Sequence, residues 1–516
     1  MGLEASKRGL FTQQSALYTT GHNISNANTE GYSRQRVNME PTLGYPGIGL
    51  NQPKTAGFIG TGVQAHSVQR IRDEFTDRQY RQETNKLGYW ESRTDSISQM
   101  EDIMAEPSEY GINASFNEFW KSIEDVSKDP DDSAARKVMV AKAQQLSESF
   151  NYMDTQLRQI QGNIGNEIQV STTDINSILK QIAEINKQIQ AVEPNGYMPN
   201  DLYDARDVLV DQLNEYIPVS IERKASGGNA LDIAEGSYTV TFKPVNGGAV
   251  ITLVDGKEYA TLTTLDSTNK ELDGGEDDAT TGKYTPFGKI EVKEPVITNP
   301  PTVPITYTNK DIVYADLDPA KGKLLSLIDA YGHGADEGVY PEMLTNLDTL
   351  ANSFMKAFND LQKTGHSLDG PGLDFFTGNS AKSMSVKQDF IDKPSLIAAS
   401  DVANEPGNNN NALKLATLQS EAQTTTLNGA TFQSYYESIV GKLGVEGEQA
   451  ITLSKTSETL KLAVENNRAS MSSVSLDEEM TNMITFQQAY NANARMITVV
   501  DETLDKIING MGRVGL

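Results

Sequence analysis

Leu3, Leu10, Leu17 and Ile24 recur seven residues apart, and Phe11 and Tyr18 widen the same face. That spacing predicts an amphipathic helix of coiled-coil period. Lys7, Gln14 and Gly21 interrupt the alternate positions, so the apolar stripe is narrow. The other end of the chain carries a longer version, in which Leu476, Met483, Tyr490, Ile497, Leu504 and Met511 share the period. Ser475-Leu476-Asp477-Glu478 fits a capping box, and Asp477, Glu478 and Glu479 suit the positive end of a helix dipole. This helix is expected to end near Gly510 or Gly512. Asp501 falls on its stripe and reads as an edge carboxylate left in water, in preference to a polar device that fixes register between packed helices.

Each end is thin. Burying a Leu or Ile contributes about 1.5–3 kcal/mol, whereas ordering each residue costs about 1–2 kcal/mol of backbone entropy. The two ends are therefore expected to pair, to be largely unfolded in a free subunit, and to become helical when neighbouring subunits complete the burial. Slow amide exchange across residues 3–27 and 476–511 of the monomer would contradict this.

Between the ends the pattern changes several times. Ser25 to Tyr32 is rich in Asn and Thr and contains Gly31, which stops the first helix. Residues 33–67 are rich in Gly and Pro and read as extended or hairpin-like chain, an extended linker lying along a partner. Val68, Ile71 and Phe75 open a long helix over about 68–104. Leu146, Phe150, Met153, Leu157, Ile160 and Ile164 continue at helical spacing from a start near Ser133, as do Ile175, Ile178, Ile182, Ile185, Ile189 and Val192. The interval from Ile164 to Ile175 reads as a stutter or break. Residues 219–316 alternate instead, as in Ser237–Phe242, with turns at Asn246-Gly247-Gly248 and Asp255-Gly256. Strands are expected at 249–254, 257–265, 289–296 and 303–313, the last two split by Pro300-Pro301, with an acidic loop around Glu276-Asp277-Asp278. Helix returns at 319–330, 341–363, about 411–425 and 431–468, with a Gly-rich loop from Asp369 to Phe376.

The predicted fold class is mainly α with an inserted β-domain: an elongated, nested, multidomain rod. Residues 1–32 and 470–516 form a terminal coiled-coil-like assembly domain, 33–67 the linker, 68–218 and 317–469 a long-helix bundle, and 219–316 a β-rich outer domain. Nesting places both termini at one end of the rod and the β-domain at the other.

Composition narrows the function. The 516 residues hold 44 Lys and Arg against 70 Asp and Glu, a formal net charge of −26. That argues against nucleic acid and against an anionic membrane surface as partners. No Cys is present, which excludes disulfides, thiolate metal sites and cysteine nucleophiles. No apolar run reaches membrane-spanning length, and the first residues lack the apolar segment of a cleavable signal. Met1 to Ser6 matches a myristoylation pattern, read as coincidence because Leu3 belongs to the helical stripe. His22, His66, His333 and His366 show no metal-ligand spacing. Gly47-Ile48-Gly49 and Gly60-Thr61-Gly62 lack the third glycine of a dinucleotide loop, and Asp369 to Asp374 fails the spacing of a calcium loop. No catalytic, cofactor-binding or metal residues are expected, and no cofactor.

Certain runs carry a resemblance. Gly2-Leu3-Glu4-Ala5, Arg8-Gly9-Leu10, Gln14-Ser15-Ala16-Leu17 and Asn23-Ile24-Ser25-Asn26-Ala27-Asn28-Thr29 resemble the amino terminus of flagellar axial proteins. Gly31-Tyr32-Ser33-Arg34-Gln35 is similar to the hook-associated protein 1 family in particular. Leu476 to Met480, Phe486-Gln487-Gln488-Ala489-Tyr490, Ala492-Asn493-Ala494-Arg495, Gly60-Thr61-Gly62-Val63 and Arg70-x-x-Asp73-x-Phe75 also fit. Glu30 stands where the family usually has Pro, and the family normally starts several residues before Met1.

The resemblance implies a non-enzymatic structural role at the junction of hook and filament, outside the cell, after unfolded export through the flagellar type III apparatus. It implies as partners other copies of the chain, hook protein, a second junction protein, filament protein or cap, and an export chaperone on the carboxyl-terminal region. The expected assembly interface sets Leu3, Leu10, Leu17 and Ile24 against Met483, Tyr490, Ile497 and Leu504, of the same or neighbouring subunits. Asn23, Asn26, Asn28, Thr29, Gly31, Tyr32, Phe486, Gln487 and Gln488 are the family-motif positions. The competing readings are another axial protein (hook, distal rod or flagellin-like) and an exported surface-binding module. Flagellin lacks the Asn-Thr-x-Gly-Tyr-Ser-Arg-Gln pattern, and a hook protein has less helix after residue 68.

Overall fold

A computed structural model describes residues 2–42, 60–104, 111–272, 283–296, 306–317, 319, 321–335, 337–423 and 426–510. The glycines at 44–57, Glu276 to Asp278, Pro300-Pro301 and Met511 lie outside the described residues.

The chain opens with helix α1 (Gly2–Ser25) and an antiparallel hairpin of β1 (Gln35–Pro41) and β2 (Val63–Arg70). Val68 pairs with Val37 in this hairpin, so the helix expected from residue 68 starts later, as α2 (Glu74–Met104). The cause is a local cap: the Asp73 carboxylate accepts from the backbone N–H groups of Phe75 and Thr76, both at 3.3 Å. The segment expected to be a linker along a partner instead lies, in its described parts, on α1. The Thr12 hydroxyl donates to the Val63 carbonyl at 3.2 Å. Gly62 sits so close that a Cβ there would be 3.1 Å from Ala5 Cα.

The helical body follows with α3 (Ile112–Lys128), α4 (Ser133–Val192) and α5 (Asn200–Tyr216). Helix α4 runs 60 residues unbroken through the stutter or break in the supercoil expected between Ile164 and Ile175, a length of about 90 Å at 1.5 Å per residue. Ile164, Ile168 and Ile175 are all buried. Different elements cover α4 in turn along its length, so its apolar stripe can drift around the helix without a supercoil.

Strands β3 (Ser220–Lys224), β4 (Ser237–Phe242), β5 (Ile251–Asp255) and β6 (Glu258–Tyr259) form one antiparallel sheet. Strands β7 (Thr261–Asp266), β8 (Phe287–Val296) and β9 (Thr306–Ile312) form a second. Two asparagines of α4 splice these sheets to the helix. The Asn186 side-chain amide donates to the carbonyls of Tyr238 and Gly256 and accepts from the Tyr238 N–H. Asn176 exchanges the same kind of pair with Leu262. The β region therefore lies along the carboxyl-terminal part of α4, beside α5, not at the end of the rod away from the termini.

Helices α6 (Lys323–Tyr331) and α7 (Val339–Thr364) return to the body. The Gly-rich stretch after α7 folds into small hairpins, β10 (His366–Ser367) with β11 (Gly370–Pro371) and β12 (Phe376–Thr377) with β13 (Ser385–Val386). The short α8 (Gln388–Asp392) and α9 (Asn410–Thr417) follow, the latter ending well before the expected residue 425. Helix α10 (Phe432–Ser472) packs along α2, and α11 (Leu476–Gly510) packs along α1. The body's core is aromatic: Phe354 meets Phe116 edge-on with ring centroids 5.1 Å apart, and Phe432 at 5.4 Å. Protection from amide exchange is expected to be highest around Phe116 and Phe354, intermediate at the α1–α11 contact, and lowest over residues 501–510, all exposed through 509. Uniform protection along α11 would contradict this packing.

Candidate functional site: the joined chain ends

Helices α1 and α11 run antiparallel, since Gly9 faces Asn493 while Asn23 faces Glu479. A Cβ on Gly9 would stand 2.9 Å from the Asn493 side chain, so the helices approach closely there. The join is made at the Asn23 end. Asn23 is 1% exposed, and every hydrogen-bonding capacity of its side chain is used. Its amide nitrogen donates to the Gln35 carbonyl at 2.9 Å and to Glu479 at 3.1 Å. Its oxygen accepts from the Tyr32 hydroxyl at 2.8 Å and the Gln35 N–H at 3.0 Å. The Tyr32 proton is thus committed to Asn23, and the His22 ring nitrogen 3.0 Å away must donate to the phenol oxygen. Burial, then the nearby carboxylates of Asp201, Asp204 and Glu479, raise the Tyr32 pKa, so it remains a donor.

Glu479 is 2% exposed. Besides Asn23, its carboxylate accepts from Arg34 Nε at 2.8 Å, while Arg34 also reaches Glu478 at 2.6 Å. The Arg34 N–H donates to the Ser472 carbonyl, the last residue of α10, at 2.8 Å. The turn after α1 therefore plugs the elbow between α10 and α11. Gly31, at φ +76°, lies against α5, where a Cβ would overlap Val208.

A buried ion network begins at Ser33, the residue before Arg34. Ser33 donates to Asp204 through its N–H at 3.0 Å and its hydroxyl at 2.7 Å. Asp204 pairs with Arg70 at 2.6 Å, and Arg70 also holds Asp207 at 3.0 Å and Glu235. Arg72 joins Asp207 to Asp77, Arg81 joins Asp207 to Asp211, and Arg468 of α10 joins Asp77 to Asp211. Arg206, fully buried, lies 3.3 Å from the Tyr238 ring centroid and pairs with Glu235. The network ties the hairpin, α2, α5, α10 and the first β-sheet into one joint. Burial pushes Asp207 up, but the guanidinium groups of Arg72, Arg70, Arg81 and Arg206 outweigh it and hold this carboxyl well below the usual range. Glu235 is likewise lowered, burial being overcome mainly by Arg70. Asp204 is raised, because burial prevails over Arg70 and Ser33.

The residues expected at the interface are placed unevenly. Leu10, Leu17, Ile24, Met483, Tyr490 and Ile497 are half-buried. Leu3 and Leu504 are exposed, and Leu504 lies on the part of α11 beyond the reach of α1. The face of α1 that is buried within the chain holds Ser6, Gly9, Thr12, Ala16, Thr19, Thr20 and Asn23 instead. Small and polar residues pack there because the hairpin and α11 approach too closely for leucine. Among the motif positions Asn23 is buried, Asn26, Gly31, Tyr32 and Phe486 are half-buried, and Asn28, Thr29, Gln487 and Gln488 are exposed. Asn26 returns its amide to the His22 carbonyl at 3.1 Å and accepts from the Thr29 hydroxyl at 3.3 Å. Asp501 is exposed. Sequence reasoning missed Arg34 and Glu479 as partners and missed the ion network, although Asp204, Asp207 and Asp211 share helical spacing. Among the described residues no cluster that could hold a metal ion occurs, and no helix is long and apolar enough to cross a membrane.

The two joined ends and the helical body each match a known family model. Residues 3–32 match the model of the flagella basal body rod protein, and residues 466–510 that of the flagellar basal body rod FlgEFG protein C-terminal region. Residues 97–376 match the helical domain of flagellar hook-associated protein FlgK. Flagellar hook-associated protein 1 of Bacillus subtilis is 40% identical over 99% of this chain and 98% of its own length. That of Escherichia coli is 26% identical over 97% and 98%. The solved flagellar hook junction protein FlgK of Burkholderia pseudomallei shares the fold, with a TM-score of 0.57 at 14% identity, covering 77% of this chain and all of that one. The chain belongs to the flagellar hook-associated protein 1 family, that of the hook–filament junction, and is a structural component of the flagellum.

Lowered carboxyl pKa values at Asp207 and Glu235 contribute stability above their unfolded pKa, near 4, and lose it as pH falls through the folded value. The raised Asp204 acts in the opposite sense and offsets part of that loss. Asp207→Asn is expected to cost about 3–5 kcal/mol at pH 7, as when one partner of a buried pair is removed. Below pH 4 the difference from the parent should shrink. Urea unfolding at pH 7 and pH 3 measures both, and a pH-independent difference would contradict the assigned ionisation.

Proposed function

We propose that the joined ends are the polymerising surface, and that the chain forms the hook–filament junction by self-assembly through α1 and α11. The observation that carries this reading is the apolar ribbon left after the ends have paired. Phe11 and Ile484 are each 57% exposed, and Tyr18, Met480, Met496, Val499 and Ile507 are exposed as well. An apolar patch of this kind marks a contact surface. The half-buried stripe of Leu10, Leu17, Ile24, Met483, Tyr490 and Ile497, with the exposed Leu3 and Leu504, is completed by neighbouring copies. Exposed Asn28, Thr29, Gln487 and Gln488 supply polar contacts at its rim.

In this reading the terminal assembly part consists of residues 1–32 and 470–516 with the hairpin added, the helical body forms the wall, and residues 219–316 brace it. The role is structural, without catalysis. The chain leaves the cell unfolded through the type III apparatus, with a chaperone on its carboxyl-terminal region, and meets hook protein on one side. A second junction protein, and filament protein or cap, lie on the other. Its place is extracellular. A strain lacking this gene should make hooks yet shed filament protein into the medium, and the full chain should restore filaments. Phe11→Asp with Ile484→Asp should be exported and folded but fail to restore them. Normal filament numbers from that variant would contradict the reading.

A further inference from the structure

A recess of about 770 Å3 opens between the start of α2, α5 and β3. Its floor holds carboxylates that are already spent, Asp77, Asp207 and Glu235, each paired with an arginine. Its rim is cationic. Arg78 of α2 and Lys243, just after β4, are exposed, and neither has an ion-pair partner within 4.0 Å among the described residues. Arg223 of β3 is drawn toward Glu235, the Tyr238 hydroxyl and Glu74, the last being the exposed carboxylate of the lining. Lys321 adds a further positive charge to the lining. In the wall, Arg70 Nε and the side-chain oxygens of Asn85 and Asn200 are buried without hydrogen-bond partners among the described residues.

A positive recess on a chain of net charge −26 is a local inversion of the surface field. We propose that it receives carboxylate side chains from a neighbouring copy of this chain. This rests on the self-assembly reading above. The recess adjoins the surface that assembles: its wall residue Arg70 ends the hairpin on α1 and is linked through Asp204 to Ser33, beside Arg34. Copies brought together by α1 and α11 are thus set side by side at this recess. Each copy repels the next through its excess of carboxylates, and pairing some of them with Arg78 and Lys243 converts repulsion into attraction. A single copy both gives and receives, so the contact is heterologous and propagates around a ring. Exposed pairs of this kind are screened within about 8 Å at physiological salt, which makes the contact short-ranged and salt-sensitive.

The test places a photoreactive benzoyl-phenylalanine at position 78 of the full chain, and separately at exposed position 508, in complemented cells. Irradiation of isolated hook–filament preparations should yield a homodimer of this chain from both positions. A homodimer from 508 alone, or conjugation of 78 to a different protein, overturns the recess proposal and leaves terminal assembly standing. No homodimer from either position overturns both. Arg78→Glu with Lys243→Glu, checked for an unchanged melting temperature, should raise shed filament protein several-fold, while Arg78→Lys with Lys243→Arg should not. Equal shedding by the two variants also counts against the recess.

Discussion

A carboxylate taken out of water must be paired, and Glu479 is paired by residues from the opposite end of the chain. Its partners, Asn23 and Arg34, lie within the first 35 residues, so the last helix cannot dock correctly until the first helix and its turn are in place. An unpaired buried carboxylate costs several kcal/mol, and the unmet hydrogen bonds of Asn23 would add to that cost. The two ends are therefore held in one register by polar geometry. The apolar stripe beside them, which could slide by a heptad, does not need to set it. This division of labour leaves Leu3, Phe11 and Ile484 exposed on the outer face of the paired helices.

The latch does not stand alone. Ser33, next to Arg34, hands the connection to Asp204, and the arginines that follow carry it to α2, α5, α10 and the first β-sheet. Asp77, Asp204, Asp207, Asp211, Glu235, Arg70, Arg72, Arg81 and Arg468 each pair with two or more opposite charges, so removal of one leaves several buried charges short of a partner. Such a joint fixes the paired ends relative to the body. The same packing explains why the β region lies near this joint. Glu235 and Tyr238 belong to that region and complete the network from its far side.

Much of the architecture was legible from periodicity. The heptads at both ends, the long central helices and the strand at Ser237–Phe242 all follow from side-chain spacing. What periodicity does not carry is the partner of a stripe. Leu3, Phe11 and Tyr18 have the spacing of core residues, yet the face buried within the chain is that of Gly9, Thr12 and Ala16. An exposed apolar stripe and one facing a core look the same in one dimension. Val68 read as helix because its strand partner, Val37, lies far off in sequence. Glu479 read as a helix-dipole charge because nothing local distinguishes it from Asp477 and Glu478; its partners, Arg34 and Asn23, come from the other end of the chain. The ion network was hidden for a related reason, since Arg70, Asp207, Glu235 and Arg468 come from four separate stretches.

A double-mutant cycle between Asn23→Ala and Glu479→Ala, read by denaturant unfolding of the full chain, addresses the latch itself. If the two side chains hold the ends together as described, their effects should be strongly coupled, with an interaction energy of about 1–3 kcal/mol. Effects that add to within about 0.3–0.5 kcal/mol would show that the termini are joined by something other than this buried contact.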